Sequence, residues 1–316
     1  MGDIIQDHWL PFPGKYCQGY IQATMLVLVI LHGYQIVNRL HICDLLGGSD
    51  EAIHLCHSNI IHFMNVQLLR NATLVVQVNG KTILVDPMLG ARDSYDPIPY
   101  TDNGLRNPLV DLPINEAQLQ ALIGQTDAIL LTHLHIDHWD PAAQQMLPKQ
   151  LPVFCQPVDA ETIRASGFTN VIPVTDELCW EGITIYRSVG RHGVGAITQL
   201  TGAVSGYVIT AGEERLYIAG DSIWCDEVAQ TLDRFRPNRI VLNGSAARFV
   251  IGDPIIMNIA DVITVCKYAP LAQVYVVHME SVNPSTESRA DVKTALADHS
   301  LSHRCHVPDD GAYLFK

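Results

Sequence analysis

The feature that most constrains this chain is a recurrent one: an apolar strand that ends in a potential metal ligand. Asp127-Ala128-Ile129-Leu130-Leu131 runs into Thr132-His133-Leu134-His135-Ile136-Asp137-His138. Residues 183–189 run into Gly190-Arg191-His192-Gly193, residues 216–219 into Gly220-Asp221-Ser222, and residues 274–277 into His278-Met279-Glu280. Short apolar runs bounded by turn residues read as buried strands. Strands of one sheet bring their C-terminal ends together, and functional residues sit on loops held by such a scaffold.

The histidine census supports this convergence. The chain of 316 residues holds 14 His. Eight follow residue 63, and five of those (His133, His135, His138, His192, His278) fall at the four strand ends. The other three, His299, His303 and His306, lie near the C-terminus and read as ordinary. A lone His-x-His is a weak signal, and Gly-Asp after a strand is often only a turn. His-x-His-x-Asp-His is different, because four titratable groups packed at a buried strand end are costly without a partner. Three imidazoles and a carboxylate also exceed the needs of one ion. His133 and His135 alternate and point the same way in extended chain. With His192 they make one three-ligand site. Asp137 and His138 make a second with His278, and Asp221 has two oxygens with which to bridge both. Each ion then keeps an open position, as catalytic rather than structural sites do.

Elsewhere the chain is orderly from Met64 onward. Leu74-Val75-Val76-Gln77-Val78, Asn79-Gly80, Lys81-Thr82-Ile83-Leu84-Val85 reads as a hairpin closed by a type I′ turn. Residues 86–113 carry five prolines and read as a long loop, either an active-site wall or a surface excursion. The patterning predicts helices over 116–123, 142–147, 158–165, 227–235, 259–267 and 288–298. Residues 1–63 lack a clean period and hold six His but only two basic residues. They read as an N-terminal extension of unknown role, with Met64 a natural start, or else as a small helical cap. Cys56, His57 and His62 match no zinc spacing.

Composition narrows the partners. With 33 acidic against 20 basic residues the net charge is -13, unsuited to coating nucleic acid or an anionic membrane. The longest apolar run, Met25–Leu31, has seven residues, far short of a membrane span. Eight scattered Cys with no Cys-x-x-Cys pair read as mostly reduced, buried thiols of a cytoplasmic protein.

Taken together, these residues resemble the metallo-β-lactamase superfamily. His133–His138 is similar to its second signature, following an aspartate-ended strand, Ile83-Leu84-Val85-Asp86. Gly190–Gly193, Ala219–Ser222 and Val277-His278 are similar to the third, fourth and fifth. The resemblance covers residues 64–316 and implies an α/β fold, a four-layer αββα sandwich with two metals at one edge. It runs closest to L-ascorbate-6-phosphate lactonase-like metal-dependent hydrolases, through Gly220-Asp221-Ser222-Ile223-Trp224 and the run His278–Asn283, although Pro284 stands where that group has His. His135, where flavodiiron members have Glu, favours hydrolysis over electron transfer. Asp221 and His278 stand 57 positions apart, which leaves no room for the inserted domain of nucleic-acid-processing members.

The expectation is a dinuclear hydrolase whose metal-bound hydroxide attacks a small-molecule ester, lactone, thioester or phosphodiester. The metal ligands are His133, His135, Asp137, His138, His192, Asp221 and His278, with Asp137 and His138 also assigned to catalysis. Asp86 orients ligands from behind them. The cofactors are two divalent ions, zinc first, with manganese or iron accepted by the same donors. Trp139, Trp224 and Glu280 either shape the pocket or merely pack. The competing readings are a nuclease-like phosphodiesterase and a non-catalytic metal-binding protein. A homo-oligomer is compatible with all three.

Overall fold

The computed structural model describes residues 64–316 in full and, before them, the backbone of two strands, β1 (Met25–Leu31) and β2 (Tyr34–Leu40), which pair antiparallel. The chain divides into two units, Met1–Ile61 and His62–Lys316. The helical cap and the Cys56, His57, His62 grouping considered for the first unit lie outside the described residues.

The second unit is built from two seven-stranded sheets. The first begins with β3 (Met64–Arg70), β4 (Thr73–Val78), β5 (Lys81–Val85), β6 (Ala128–Leu130), β7 (Val153–Cys155) and β8 (Val171–Pro173). The second contains β9 (Glu177–Trp180), β10 (Ile183–Val189), β11 (Ser205–Ala211), β12 (Glu214–Ile218), β13 (Arg239–Asn243), β14 (Gln273–Val277) and β15 (Cys305–His306). The last strand, β16 (Tyr313–Phe315), returns to pair with β3. Strand order is β16-β3-β4-β5-β6-β7-β8 in one sheet and β15-β14-β13-β12-β11-β10-β9 in the other.

The hairpin forms as its residues dictate. Asn79 and Gly80 have φ of 52° and 72°, the positive pair that a type I′ turn needs, and Val78 faces Lys81 across it. In each sheet the four strands β5–β8 and β12–β15 run parallel. Parallel neighbours need crossovers, which the helices supply. These are α1 (Glu116–Gln125), α2 (Pro141–Met146) and α3 (Ala160–Ala165) for the first sheet, and α5 (Asp226–Phe235), α6 (Ile259–Tyr268) and α7 (Arg289–Asp298) for the second; a short α4 (Thr198–Thr201) follows β10.

The central strands are apolar on both faces because both faces are covered. Ile83, Val85, Ala128, Leu130, Leu216, Ile218, Val241 and Val277 point between the sheets. The intervening Leu84 and Ile129 meet Leu119, Ile123 and Ile163 of the helices on one outer face. Tyr217, Ile240, Leu242, Val274 and Val276 meet Val228, Leu232, Val262 and Leu296 on the other. Each such Leu, Ile or Val, fully buried, contributes about 1.5–3 kcal/mol. The result is the expected αββα sandwich, and its alternation carries the strand ends to one edge.

Candidate metal centre

Parallel register sets the edge. Val85 pairs with Leu130, so Asp86 and Thr132 leave the first sheet side by side. Ile218 pairs with Val241 and Asn243 with Val277, so Asp221, Asn243 and His278 leave the second sheet at one level. The two edges are joined where Ser205 N donates to the Thr132 carbonyl at 3.1 Å. Gly220 lets the chain turn here: its φ is 66°, and a Cβ would lie 2.7 Å from the Ser205 carbonyl oxygen.

All seven residues predicted as ligands meet at this edge, in two groups. Donor atoms of His133, His135, His192 and Asp221 lie within 4.8 Å of one another, and so do those of Asp137, His138, Asp221 and His278. Asp221 belongs to both. Its Oδ2 lies 3.3 Å from His138 Nε2, 3.6 Å from His192 Nε2, 3.7 Å from His278 Nε2 and 3.9 Å from His133 Nε2. His278 Nε2 is 3.0 Å from Asp137 Oδ2, and His192 Nε2 is 3.2 Å from His135 Nδ1. Six of the seven are buried, and only His135 is partly open.

The opposite side of three of the rings is held. His138 Nδ1 meets Asp86 Oδ2 at 2.9 Å, and His192 Nδ1 meets the Ile255 carbonyl at 2.8 Å. Thr132 Oγ1 donates to Asp86 Oδ2 at 2.6 Å and lies 3.0 Å from His133 Nδ1. Asn243 Nδ2 donates to Asp221 Oδ1 at 2.7 Å, and Asn71 Nδ2 donates to Asp137 Oδ2 at 3.3 Å. Such outer partners fix ring orientation and tautomer at metal sites.

Electrostatics separate the groups. Burial pushes His133 well below the ordinary imidazole range, lowers His135, and brings His192 down to about 4. These three rings are neutral and keep a lone pair for a cation. Burial also acts on His138 and His278, but Asp221 and Asp137 (and Asp86 at His138) outweigh it and raise both. Burial alone would raise Asp137 and Asp221; the imidazoles, His138 first, hold both below the carboxylate range. The fit to metal has a direct sign: the buried Nε2 atoms of His133 and His138, which face Asp221, have no hydrogen-bond partner. Orphaned buried ring nitrogens are costly unless something binds them.

A cavity of about 610 Å³ opens on this edge. His135, Asp137, His192, Asp221 and His278 form its floor. One wall is the long loop after β5, through Tyr95, Ile98, Tyr100 and Arg106; the other is Ala247, Phe249 and Ile255. The 86–113 loop is therefore a wall of this cavity, through residues 94–100 and Arg106, and not a surface excursion. His138, 0 % exposed, does not reach the cavity. Trp139 packs on Phe168 and Trp224 on Tyr268, while the exposed Glu280 pairs with Arg289; none of the three lines the cavity. Pro284, out of pattern in the sequence, lines it.

Sequence reasoning missed Asn71 and Asn243. Asn243 carries the same signal as the ligands, a polar residue ending the apolar strand β13, but an amide in that place has no chemistry that sets it apart from a turn residue. Asn71 sits at φ 57° in the β3–β4 turn, where asparagine reads first as a turn former.

The fold and the two donor groups define a metallo-β-lactamase-type centre. Residues 81–279 match the family described as "Beta-lactamase superfamily domain", and the chain belongs to that superfamily as a metal-dependent hydrolase. The chain is 38% identical over 257 residues to UPF0173 protein YddR of Bacillus subtilis (strain 168), spanning 80% of this chain and 100% of that protein. It is similar to the crystal structure of an isothiocyanate hydrolase from Delia radicum gut bacteria, with 37% identity, TM-score 0.75, and 80% and 99% of the two chains covered. It is also similar to a possible metal-dependent hydrolase from Veillonella parvula DSM 2008, with 31% identity, TM-score 0.77, and 81% and 100% covered. Among the described residues no helix is long and apolar enough to cross a membrane.

Proposed function

We propose that this chain hydrolyses a small, uncharged electrophile with an apolar body at a dinuclear centre. His133, His135, His192 and Asp221 would hold one divalent ion, and Asp137, His138, Asp221 and His278 the other. The observation that carries this reading is the pair of donor groups sharing Asp221 at the floor of one cavity. When bound, such ions polarise a substrate's electrophilic centre and bring the pKa of water towards neutrality. Zinc is the first candidate, and manganese or iron suit the same donors.

The chain's own residues supply the rest. Asp137 lines the cavity, and Asn71 and His278 fix the direction of its carboxylate; it is the group placed to accept a proton beside the substrate. His138 cannot touch substrate and acts by holding its place between Asp86 and Asp221. Ile98, Pro99, Tyr100, Phe249, Ile255 and Val282 exclude water and receive the apolar body. Arg106 is the one cation among the lining residues, and it is committed to Asp96 and to the Asp93 carbonyl. That commitment favours an ester, lactone, thioester or isothiocyanate over a phosphodiester or a phosphorylated lactone, and agrees with the net charge of -13 in disfavouring nucleic acid. The similarity to an isothiocyanate hydrolase supports including isothiocyanates among the substrates to test. Relatives spanned almost end to end leave about a fifth of this chain unmatched, which supports residues 1–63 as an extension to a catalytic unit at 64–316.

The test is metal quantification followed by a panel of esters, lactones, thioesters, isothiocyanates and phosphodiesters. About two ions per chain, turnover of an uncharged substrate and its loss on chelation are expected. Equal turnover after chelation, or turnover of phosphodiesters alone, overturns the reading.

A further inference from the structure

The segment after His278 is the spine from which both cavity walls hang. The Ser281 carbonyl accepts from Leu109 N at 2.8 Å, and the Pro284 carbonyl accepts from Arg248 N at 3.1 Å. The walls also meet each other, through Val250 N donating to the Tyr100 carbonyl at 2.8 Å. Between these attachments stands Asn283, 3 % exposed.

Its carboxamide is saturated at both ends by one loop. Oδ1 accepts from Ile98 N at 3.0 Å and from Asn107 Nδ2 at 2.8 Å. Nδ2 donates to Thr101 Oγ1 at 2.5 Å and, at 3.3 Å, to the carbonyls of Ile98 and Asn103. Its main chain joins in, donating to Asn107 Oδ1 at 2.9 Å and accepting from Asn103 Nδ2 at 3.0 Å. The side chain pairs with both polar groups of the Ile98 backbone, as a neighbouring strand would. An aspartate has no donor for the Ile98 carbonyl, and an alanine has neither donor nor acceptor. Asn283 bonds to none of the seven metal-site side chains and does not line the cavity. Yet Ile98, Tyr100 and Arg106, which the bonded loop carries, do line it.

We infer that Asn283 is a positioning residue for substrate selectivity: it ties the 98–107 wall to the backbone bearing His278, so that the apolar body of a substrate is held in register with the metal floor. This rests on the cavity being the substrate site, as proposed above. A residue that merely supported the fold would affect all substrates alike. A wall-positioning residue affects those that reach the wall.

The experiment compares Asn283→Ala, Asn283→Asp and unmodified holoenzyme on methyl and benzyl members of one isothiocyanate or ester series. Thermal unfolding and metal content are measured beside it. For Asn283→Ala, kcat/KM for the benzyl substrate falls about tenfold, mostly through KM, while the methyl substrate and the bound metal change little. Asn283→Asp, which keeps the acceptor towards Ile98 N and Asn107, lies between. Equal losses on both substrates, an unchanged ratio, or loss of metal overturns the inference. If the unmodified enzyme turns over neither substrate, the hydrolase reading fails separately. Calorimetric binding of methylurea and benzylurea to the same holo-proteins then decides Asn283. Selective weakening of benzylurea upholds the inference, and equal or absent weakening sinks it.

Discussion

Asp86 contributes no atom to either donor group, yet it stands behind the whole first-sheet side of the centre. It is buried at φ 43°, a strained position for a residue with a side chain, and the strain is held by three bonds. Thr132 N donates to Oδ1 at 2.8 Å, Thr132 Oγ1 donates to Oδ2 at 2.6 Å, and His138 Nδ1 lies 2.9 Å from Oδ2. This aims His138 Nε2 at Asp221. Asp86→Ala is expected to lower metal affinity by about 10–100-fold while leaving the fold intact. Metal retained against a graded chelator series measures it, and retention equal to the unsubstituted protein would count against the role. Asp86 was legible in the sequence because it ends an apolar strand and is a carboxylate. Asn71 and Asn243 hold the site as directly but are amides, whose chemistry allows so many local roles that spacing alone does not single them out.

At the scale of elements, strand ends and turns set the geometry. Most helices lie within two residues of where the sequence patterning places them. Asn115 caps α1 in a capping box, Asp140 caps α2 with Pro141 behind it, and Ser288 caps α7. The 158–165 stretch differs: Pro157–Asp159 is a 3₁₀ turn and the α-helix begins at Ala160, because proline enters a tight first turn readily. Gly220 is the turn on which Asp221 depends. Gly220→Ala combines a positive φ with a close approach to the Ser205 carbonyl, so a loss of more than about 1 kcal/mol is expected in denaturant unfolding, with weakened metal retention. An unchanged midpoint would show that the turn relaxes without moving Asp221. The 247–255 wall was not legible, since it has no periodicity; its place comes from bonds such as Ile255 N to the Ala247 carbonyl at 2.8 Å.

Across the whole molecule, the centre draws donors from residues 133 to 278 and from both sheets, so an ion bound there ties the sandwich together at its edge. A ligand that binds only the folded state stabilises it by mass action, about 2.7 kcal/mol at a concentration 100 times Kd. Stripped protein should therefore melt below the loaded form, and readdition of zinc or manganese should restore the Tm. His135→Ala should blunt that response. Identical melting with and without metal would mean that the donor groups do not hold ions in the folded chain.

By itself the sequence determined that the seven candidate ligands follow buried strands and which apolar runs form those strands. Alternation and turn residues are local, and a buried group of titratable side chains has few uses other than metal. Only the tertiary structure decided that Asp221 lies in both donor groups, that His138 is sealed from the cavity, and that the proline-rich loop is a wall pinned by Asn283. Those facts are distances between atoms far apart along the chain, and they follow from strand order and parallel register across two sheets. A period-two pattern says which face a residue takes, but not which strand will stand beside it.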